Sequence, residues 1–336
     1  MSEPDGNRPD PFEAAYGAAN ALLYREPPQA ARAFRYLLAR SEAREPQRRA
    51  RVLDRLCIAH RILGHYDQAL REGREALSLF ESIGDDRGLS GAFISLGNIC
   101  WSRGDLPEAL SYYESALELR DRHGDRRGMA GALGSVANIL SELGELTEAK
   151  AHYQRALALS LELGDTRACA RTYNNLAECH LLLDDLPAAE KQAKIALRLV
   201  RQLDDRADES NVLINLGRIQ TRLRDWSAAL DTLDEASALA TIAGDRRSEA
   251  EALMIRAQLT EDRGREDPSR RPQAALYRRE ALALAEEIGP GPFVWSCIAT
   301  ARWRPTAAAT RKPPPGTGRP PRRSAMPVRR YPIEAG

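Results

Sequence analysis

A turn recurs every twenty residues along this chain. Gly64, Gly84, Gly104, Gly124, Gly144, Gly164, Asp184, Asp204, Arg224 and Gly244 each open a short turn-like pair at that constant spacing. Twenty residues accommodate one helix of about fifteen plus a short connection, which is one arm of an antiparallel helix pair. A second rhythm of forty is superposed: GDDRGLSGAFISLGNIC at 84–100, GDRRGMAGALGSVANIL at 124–140 and GDTRACARTYNNLAECH at 164–180 are near copies. A fixed period of this kind is the signature of stacked supersecondary units.

Two kinds of helix alternate. From about Gly88 to Ser102, Leu89, Phe93, Leu96 and Cys100 share one face at helical spacing. From about Leu106 to Arg120, the sequence does the same with Leu106, Ala109, Leu110, Tyr113, Ala116 and Leu117, and Asp105 with Glu108 offers a capping box at its start. Between residues 47 and 267 there are only two prolines, Pro107 and Pro187, both in a helix first turn, where the missing N–H costs nothing. The expectation is an all-helical body.

Small residues say how the helices meet. Cys57, Gly97, Ala137, Ala177, Gly217 and Ala257 hold one register of the first helix; Ala69/Ala76, Ala109/Ala116, Ala149/Ala156, Ala189/Ala196 and Ala229/Ala236 recur in the second. A side chain no larger than a methyl lets two helices approach closely. One helix pair cannot bury both of its apolar faces, so the pairs must stack into a solenoid.

Small residue, GD at Gly104-Asp105, then Ala109, Tyr113 and Ala116 resemble the tetratricopeptide repeat (TPR). The period of forty and the phrase GDRRG are similar to the long-repeat subgroup of Pins-type adaptors, kinesin light chains and bacterial TPR signalling proteins. The resemblance covers roughly residues 12–289 and implies a right-handed superhelical solenoid of antiparallel helix pairs. Residues 1–11 read as a flexible N-terminus and 12–44 as a degenerate capping pair, with 24–44 out of step by one residue. An array of about six repeats then runs over 45–289. The last repeat departs from the pattern, with Arg256 where its equals have Leu or Val and with about five extra residues in its turn.

Charge narrows the partners. Residues 302–336 hold nine Arg or Lys against Glu334 alone, leaving the preceding body with 40 basic and 47 acidic groups. An acidic body repels phosphate, which argues against nucleic acid there. No apolar run reaches membrane-spanning length, and the polar start is no secretory signal. Five cysteines without C-x-x-C spacing read as small core residues of a cytoplasmic protein. No phosphate loop, dinucleotide fingerprint, zinc-protease motif or nucleophile elbow is present, and the five histidines are dispersed. The expectation is a non-enzyme without metal or cofactor; a Rap-type phosphatase would further need an N-terminal bundle for which the chain leaves no room. The segment 290–336, with PPPGTGRPPRRS at its centre, reads as largely disordered. It is open between a solvated tail, a basic arm, and a stretch translated out of frame.

The TPR resemblance implies that first helices line a concave surface for a protein or extended peptide segment. The candidate residues there are Asn98, Trp101, Asn138, Arg171, Asn174, Asn175, Asn211, Asn215, Arg218 and Arg222. A carboxamide both donates and accepts, so a row of asparagines can pair with a peptide backbone; the alternative is that they bond to neighbouring helices. Trp101 is either an anchor or a wedge between repeats. A chaperone-type carboxylate clamp is not supported, since its lysine place holds Asp54, Ile94, Gly134, Asn174, Ile214 and Met254. The sixth repeat is acidic through Glu251, Glu261 and Asp262. An adaptor is the first reading and a sensor or regulatory module of a bacterial signalling protein the second. A homodimer through a terminal repeat is a further possibility.

Overall fold

The structure, a computed structural model, describes residues 10–40, 45–264 and 267–288. Of the flexible start expected at 1–11, residues 1–9 lie outside the described residues, whereas Asp10 caps α1 and Pro11 opens it; the tail expected at 290–336 also lies outside them. Seven helix pairs follow one another: α1 (Pro11–Leu22) with α2 (Pro27–Leu38), α3 (Pro46–Ile62) with α4 (Tyr66–Ile83), α5 (Asp86–Arg103) with α6 (Leu106–Arg122), and α7 (Arg126–Glu142) with α8 (Leu146–Glu162). The series continues with α9 (Thr166–Leu182) and α10 (Leu186–Gln202), α11 (Arg206–Arg222) and α12 (Trp226–Ala243), and α13 (Arg246–Gly264) and α14 (Arg271–Ile288). No strand occurs among the described residues. Each helix packs on the one before and the one after it, so the apolar core is a continuous seam.

The junctions explain the twenty-residue punctuation. All ten turn residues, from Gly64 to Gly244, have positive φ between 51° and 90°. This left-handed residue ends one helix, and the N–H of the next residue returns to that helix: Asp125 to the Arg120 carbonyl at 2.9 Å, Asp165 to Ser160 at 3.0 Å, Asp225 to Gln220 at 3.0 Å. The same aspartate then opens the following helix. Asp125 Oδ1 accepts from the Gly128 N–H at 2.9 Å, and Asp85, Asp165, Asp185, Asp205, Asp225 and Asp245 do likewise three residues on. One GD pair therefore closes a helix and starts its antiparallel neighbour.

Asp105 is an exception and corrects the expected capping box. It stands at the N-cap of α6 without a side-chain cap bond. Arg103 takes its carboxylate, and Glu108 turns outward to Arg74 at 3.2 Å. Ion pairing has displaced the cap.

Size complementarity sets the spacing within and between pairs. A Cβ added to Gly97 would lie 2.6 Å from the Tyr113 ring, and one added to Gly217 2.7 Å from Leu233. A second complementarity joins one pair to the next: Gly88 makes room for Phe80, and Gly128 for Arg120 and the capping Asp125 carboxylate. Where the last turn of the second helix carries Ser160 or Ala240, the facing position is instead Ala168 or Ser248. Arg256, the odd residue of the last repeat, is accommodated by stacking over the Tyr277 ring at 4.7 Å and pairing with Asp234 at 2.7 Å. Cys57, Cys100, Cys169 and Cys179 are buried and free. Burial pushes the Cys100 thiol up to about 12, so it stays protonated at neutral pH.

Two stability outcomes follow. Gly97→Val, which drives a side chain into Tyr113, is expected to cost about 1–3 kcal/mol through overpacking. Asp204→Gly, at a left-handed position where glycine carries no Cβ penalty, is expected to add about 1 kcal/mol. Urea denaturation of each variant beside the parent checks both signs.

Candidate functional site

Close approaches between non-sequential helices run through the first helices of neighbouring pairs: α3 with α5, α7 with α9, α9 with α11, α11 with α13. In a curved stack the layer whose members touch lies on the short inside path. The first helices therefore form the concave layer, and all ten candidate residues lie on these helices.

The asparagines are already linked to one another and to the second helices. The Tyr113 hydroxyl donates to Asn98 Oδ1 at 2.6 Å, and Tyr153 to Asn138 Oδ1 at 2.7 Å. Burial pushes both phenols up, which keeps them protonated as donors. One and two repeats further on, the tyrosine position holds Ala193 and Leu233, and the asparagine position holds Glu178 and Arg218, 3.6 Å apart. Asn98 and Asn138 thus answer a tyrosine fifteen residues later, and that pairing was the signal in the sequence for a packing role. Between repeats, Asn175 Nδ2 donates to Asn138 Oδ1 at 3.2 Å, Asn215 Nδ2 to Asn174 Oδ1 at 3.0 Å, and Ser248 Oγ to Asn211 Oδ1 at 3.1 Å. The amides form a ladder that ties successive first helices together.

Charges run beside the ladder. Arg171 reaches Asp208 at 3.2 Å, Arg222 reaches Asp184 at 2.8 Å, and Arg218 pairs with Glu251. Trp101 is half-buried against the core, and its Nε1 donates to Glu142 at 2.7 Å, bridging α5 to α7. The candidate residues therefore fall into two groups. Asn98, Trp101 and Asn138 hold the α5–α8 part together. Arg171, Asn174, Asn175, Asn211 and Asn215 line an open cleft of about 340 Å³ between α9, α11 and α13, together with Glu178, Asp208, Arg247 and Glu251. Arg218 borders that cleft through Glu251, and Arg222 lies apart from it.

The sequence reading missed Asp208 and Arg247. Both stand in the first turn of α11 or α13, before the asparagines that mark the inward face in the sequence. Glu178 keeps 47% side-chain exposure, and the protein around it raises its pKa, partly offset by Arg218. At the other end of the concave face Asp54 is 6% exposed, accepts from Ser95 Oγ at 2.8 Å and lies 3.3 Å from Arg55. Burial outweighs both partners and holds its pKa above the ordinary carboxylate range.

The profile of the MalT-like TPR region matches residues 14–212, more than half of the chain, and a tetratricopeptide repeat profile matches 212–247. The chain belongs to the MalT-like TPR region family. Among solved structures, this TPR chain is similar to the apo form of RapI (13% identity, TM-score 0.68, 82% of this chain and 98% of that one). It is also similar to a STAND (signal transduction ATPase with numerous domains) protein with a tetratricopeptide repeat sensor from Pyrococcus horikoshii (15% identity, TM-score 0.66). There it covers 82% of this chain and only 43% of that one. A third is a Rap protein complexed with Competence and Sporulation Factor (12% identity, TM-score 0.58, 87% and 95%). At such identities the likeness is one of fold. The alignment covers nearly all of RapI, so chain length does not by itself separate the two proteins. A search of curated sequences finds no match. Among the described residues no three His, Cys, Asp or Glu side chains gather as metal ligands, and no helix is long and apolar enough to cross a membrane.

Asp54 gives this TPR array a pH signature. A carboxyl whose folded pKa is raised takes a proton more readily in the native state, so the stability it supports is greatest at low pH and falls as pH rises from the unfolded value of 3.8. Asp54→Asn, which keeps an acceptor for Ser95, should gain on the parent as pH is raised from that value, then level off. Urea midpoints measured from pH 4 to pH 7 check it; a difference that does not change with pH would contradict the burial argument.

Proposed function

We propose that this TPR array is a scaffold that grips an extended protein segment along its concave face, with the cleft between α9, α11 and α13 as the main contact. The observation that carries this reading is the cleft itself. It combines amides, which satisfy backbone N–H and C=O groups without regard to side chain, with guanidinium and carboxylate groups that select charge. Because Asn174, Asn175 and Asn215 are fixed by their neighbours, a bound segment would meet groups that are already oriented, which reduces the ordering cost of binding. The groove's chemistry of amides and paired charges suits binding rather than turnover. The Rap protein complexed with Competence and Sporulation Factor supports the reading as a precedent on this fold.

A second reading rests on the STAND protein of Pyrococcus horikoshii, in which a tetratricopeptide repeat array is a sensor within a longer chain. Occupancy of the groove would then regulate an output domain. Translating the nucleotides downstream of this chain in all three frames tests it, since further repeats or an output domain should appear.

For the scaffold reading, Asn175→Ala combined with Asn211→Ala removes two amides from the cleft while leaving the Asn174–Asn215 bond and the tyrosine pairs in place. Peptides selected on the parent by surface display should bind the double variant at least about tenfold more weakly, from two hydrogen bonds of roughly 1 kcal/mol each. Unchanged affinity, with an unchanged denaturation midpoint, would refute the cleft as the contact.

A further inference from the structure

A second hollow opens on the concave side between α5, α6 and α7. It encloses about 660 Å³ and is lined by Arg55, Arg87, Arg120, Arg127 and His123, with Asp86 and Asp125 as its acids. The acids are engaged: Asp86 holds His123 at 2.6 Å, and Asp125 caps the Gly128 N–H at 2.9 Å. Two of the arginines have carboxylates of their own, Arg55 with Asp54 at 3.3 Å and Arg127 with Asp165 at 3.9 Å.

Arg87 and Arg120 do not. Among the described residues no carboxylate lies within ion-pair distance of either guanidinium. Arg120 is held by neutral groups, its Nε donating to Ser90 Oγ at 2.7 Å and one terminal nitrogen to the Gly128 carbonyl at 2.6 Å. It is half-buried, and burial lowers its pKa, with Asp125 only partly compensating. A half-buried guanidinium with no carboxylate at ion-pair distance gains from an anion that reaches it. The hollow stays open partly because Gly91 stands in its wall, where an added Cβ would meet nothing within 4 Å. A mid-helix glycine costs about 0.5–1 kcal/mol relative to alanine, and here no neighbouring side chain requires it.

We propose that this hollow binds a carboxylate of the segment gripped by the concave face, with Arg87 and Arg120 as its ligands. The inference rests on the groove reading above and adds a charge requirement to it. The hollow and the cleft both lie toward the N-terminal ends of the first helices, and α9 follows α7 along the concave face. A segment leaving the hollow along this face passes next over α9, which forms one wall of the cleft. The carboxylate comes from an Asp or Glu side chain or from a chain terminus. Peptide is favoured over phosphate-bearing nucleic acid because the body around the hollow, residues 1–301, is net acidic, with 47 acids against 40 bases.

The test uses the full chain and a positional-scanning library of dodecapeptides, made once with free C-termini and once amidated. The parent should prefer peptides with Asp or Glu near one end by about tenfold over their Asn or Gln counterparts, or should prefer the free acid over the amide by that factor. The first preference identifies a side chain and the second a terminus. Arg87→Glu, an exposed site that leaves the Arg120 bridge intact, should abolish the preference but keep residual binding of the neutral peptides; Arg120→Gln should do the same if it folds. Peptide binding that depends on Asn175 and Asn211 yet shows no acid preference would overturn this inference and leave the groove reading standing. A single-stranded oligonucleotide that binds the parent and is lost in Arg87→Glu would overturn it in favour of phosphate. Absence of any peptide binding would overturn both.

Discussion

The architecture depends on one backbone event repeated at the ten junctions from α3–α4 to α12–α13: a residue in the left-handed region followed by an aspartate or its equivalent. The left-handed residue reverses the chain in two or three residues. The residue after it spends its N–H on the helix just ended and, in most turns, its carboxylate on the helix about to begin. Helix ends leave unsatisfied N–H and C=O groups, and these turns satisfy part of both sets at once. Because the turn is short and fixed, successive helices have no freedom but to lie antiparallel. The size-matched contacts, Gly97 with Tyr113, Gly88 with Phe80 and Gly128 with Arg120, then determine how close they lie.

Curvature follows from that packing. First helices touch their counterparts in the next repeat, so they occupy the inside of the curve, and polar side chains on them meet across repeats. Those groups cannot all remain with water, and they pair with one another. The result is a concave face that is structured before any partner arrives. Its amides are positioned by tyrosine hydroxyls, by other amides or by Ser248, and most of its arginines by carboxylates of the adjacent repeat. The hollow between α5 and α7 and the cleft from α9 to α13 remain open, and both lie nearer the N-terminal ends of the first helices.

Much of the fold was legible in the sequence because it is written as a period. The turn residues, the alternating helices and the small residues at Gly97, Ala137, Ala177 and Gly217 are local features repeated several times, and each repeat reinforces the others. Aspartates and an arginine stand in for glycine at three turns; the period still marks Asp184, Asp204 and Arg224 as turn residues, and all three are left-handed. The candidate site was legible only in outline. Helical spacing places a residue on the inside face, but it does not say which neighbour binds it. The Tyr113–Asn98 pair could have been found from its recurrence as Tyr153–Asn138, and it separates structural asparagines from those in the cleft. The failed capping box at Asp105 and the missed Asp208 have a shared cause. Glu108 is drawn to Arg74 and Asp208 to Arg171, partners 34 and 37 residues away that a linear reading does not bring together.

The central claim is that the concave cleft between α9, α11 and α13 is where this TPR array meets its partner. The most direct measurement is the set of side-chain amide resonances of Asn174, Asn175, Asn211 and Asn215 in a nitrogen-15 NMR titration of the full chain with a display-selected peptide. The account expects these four resonances to shift together with saturating dependence on peptide, while the amides of the convex second helices stay in place. Shifts confined to α4, α6, α8, α10 or α12, with the four asparagine resonances unmoved at saturation, would contradict it.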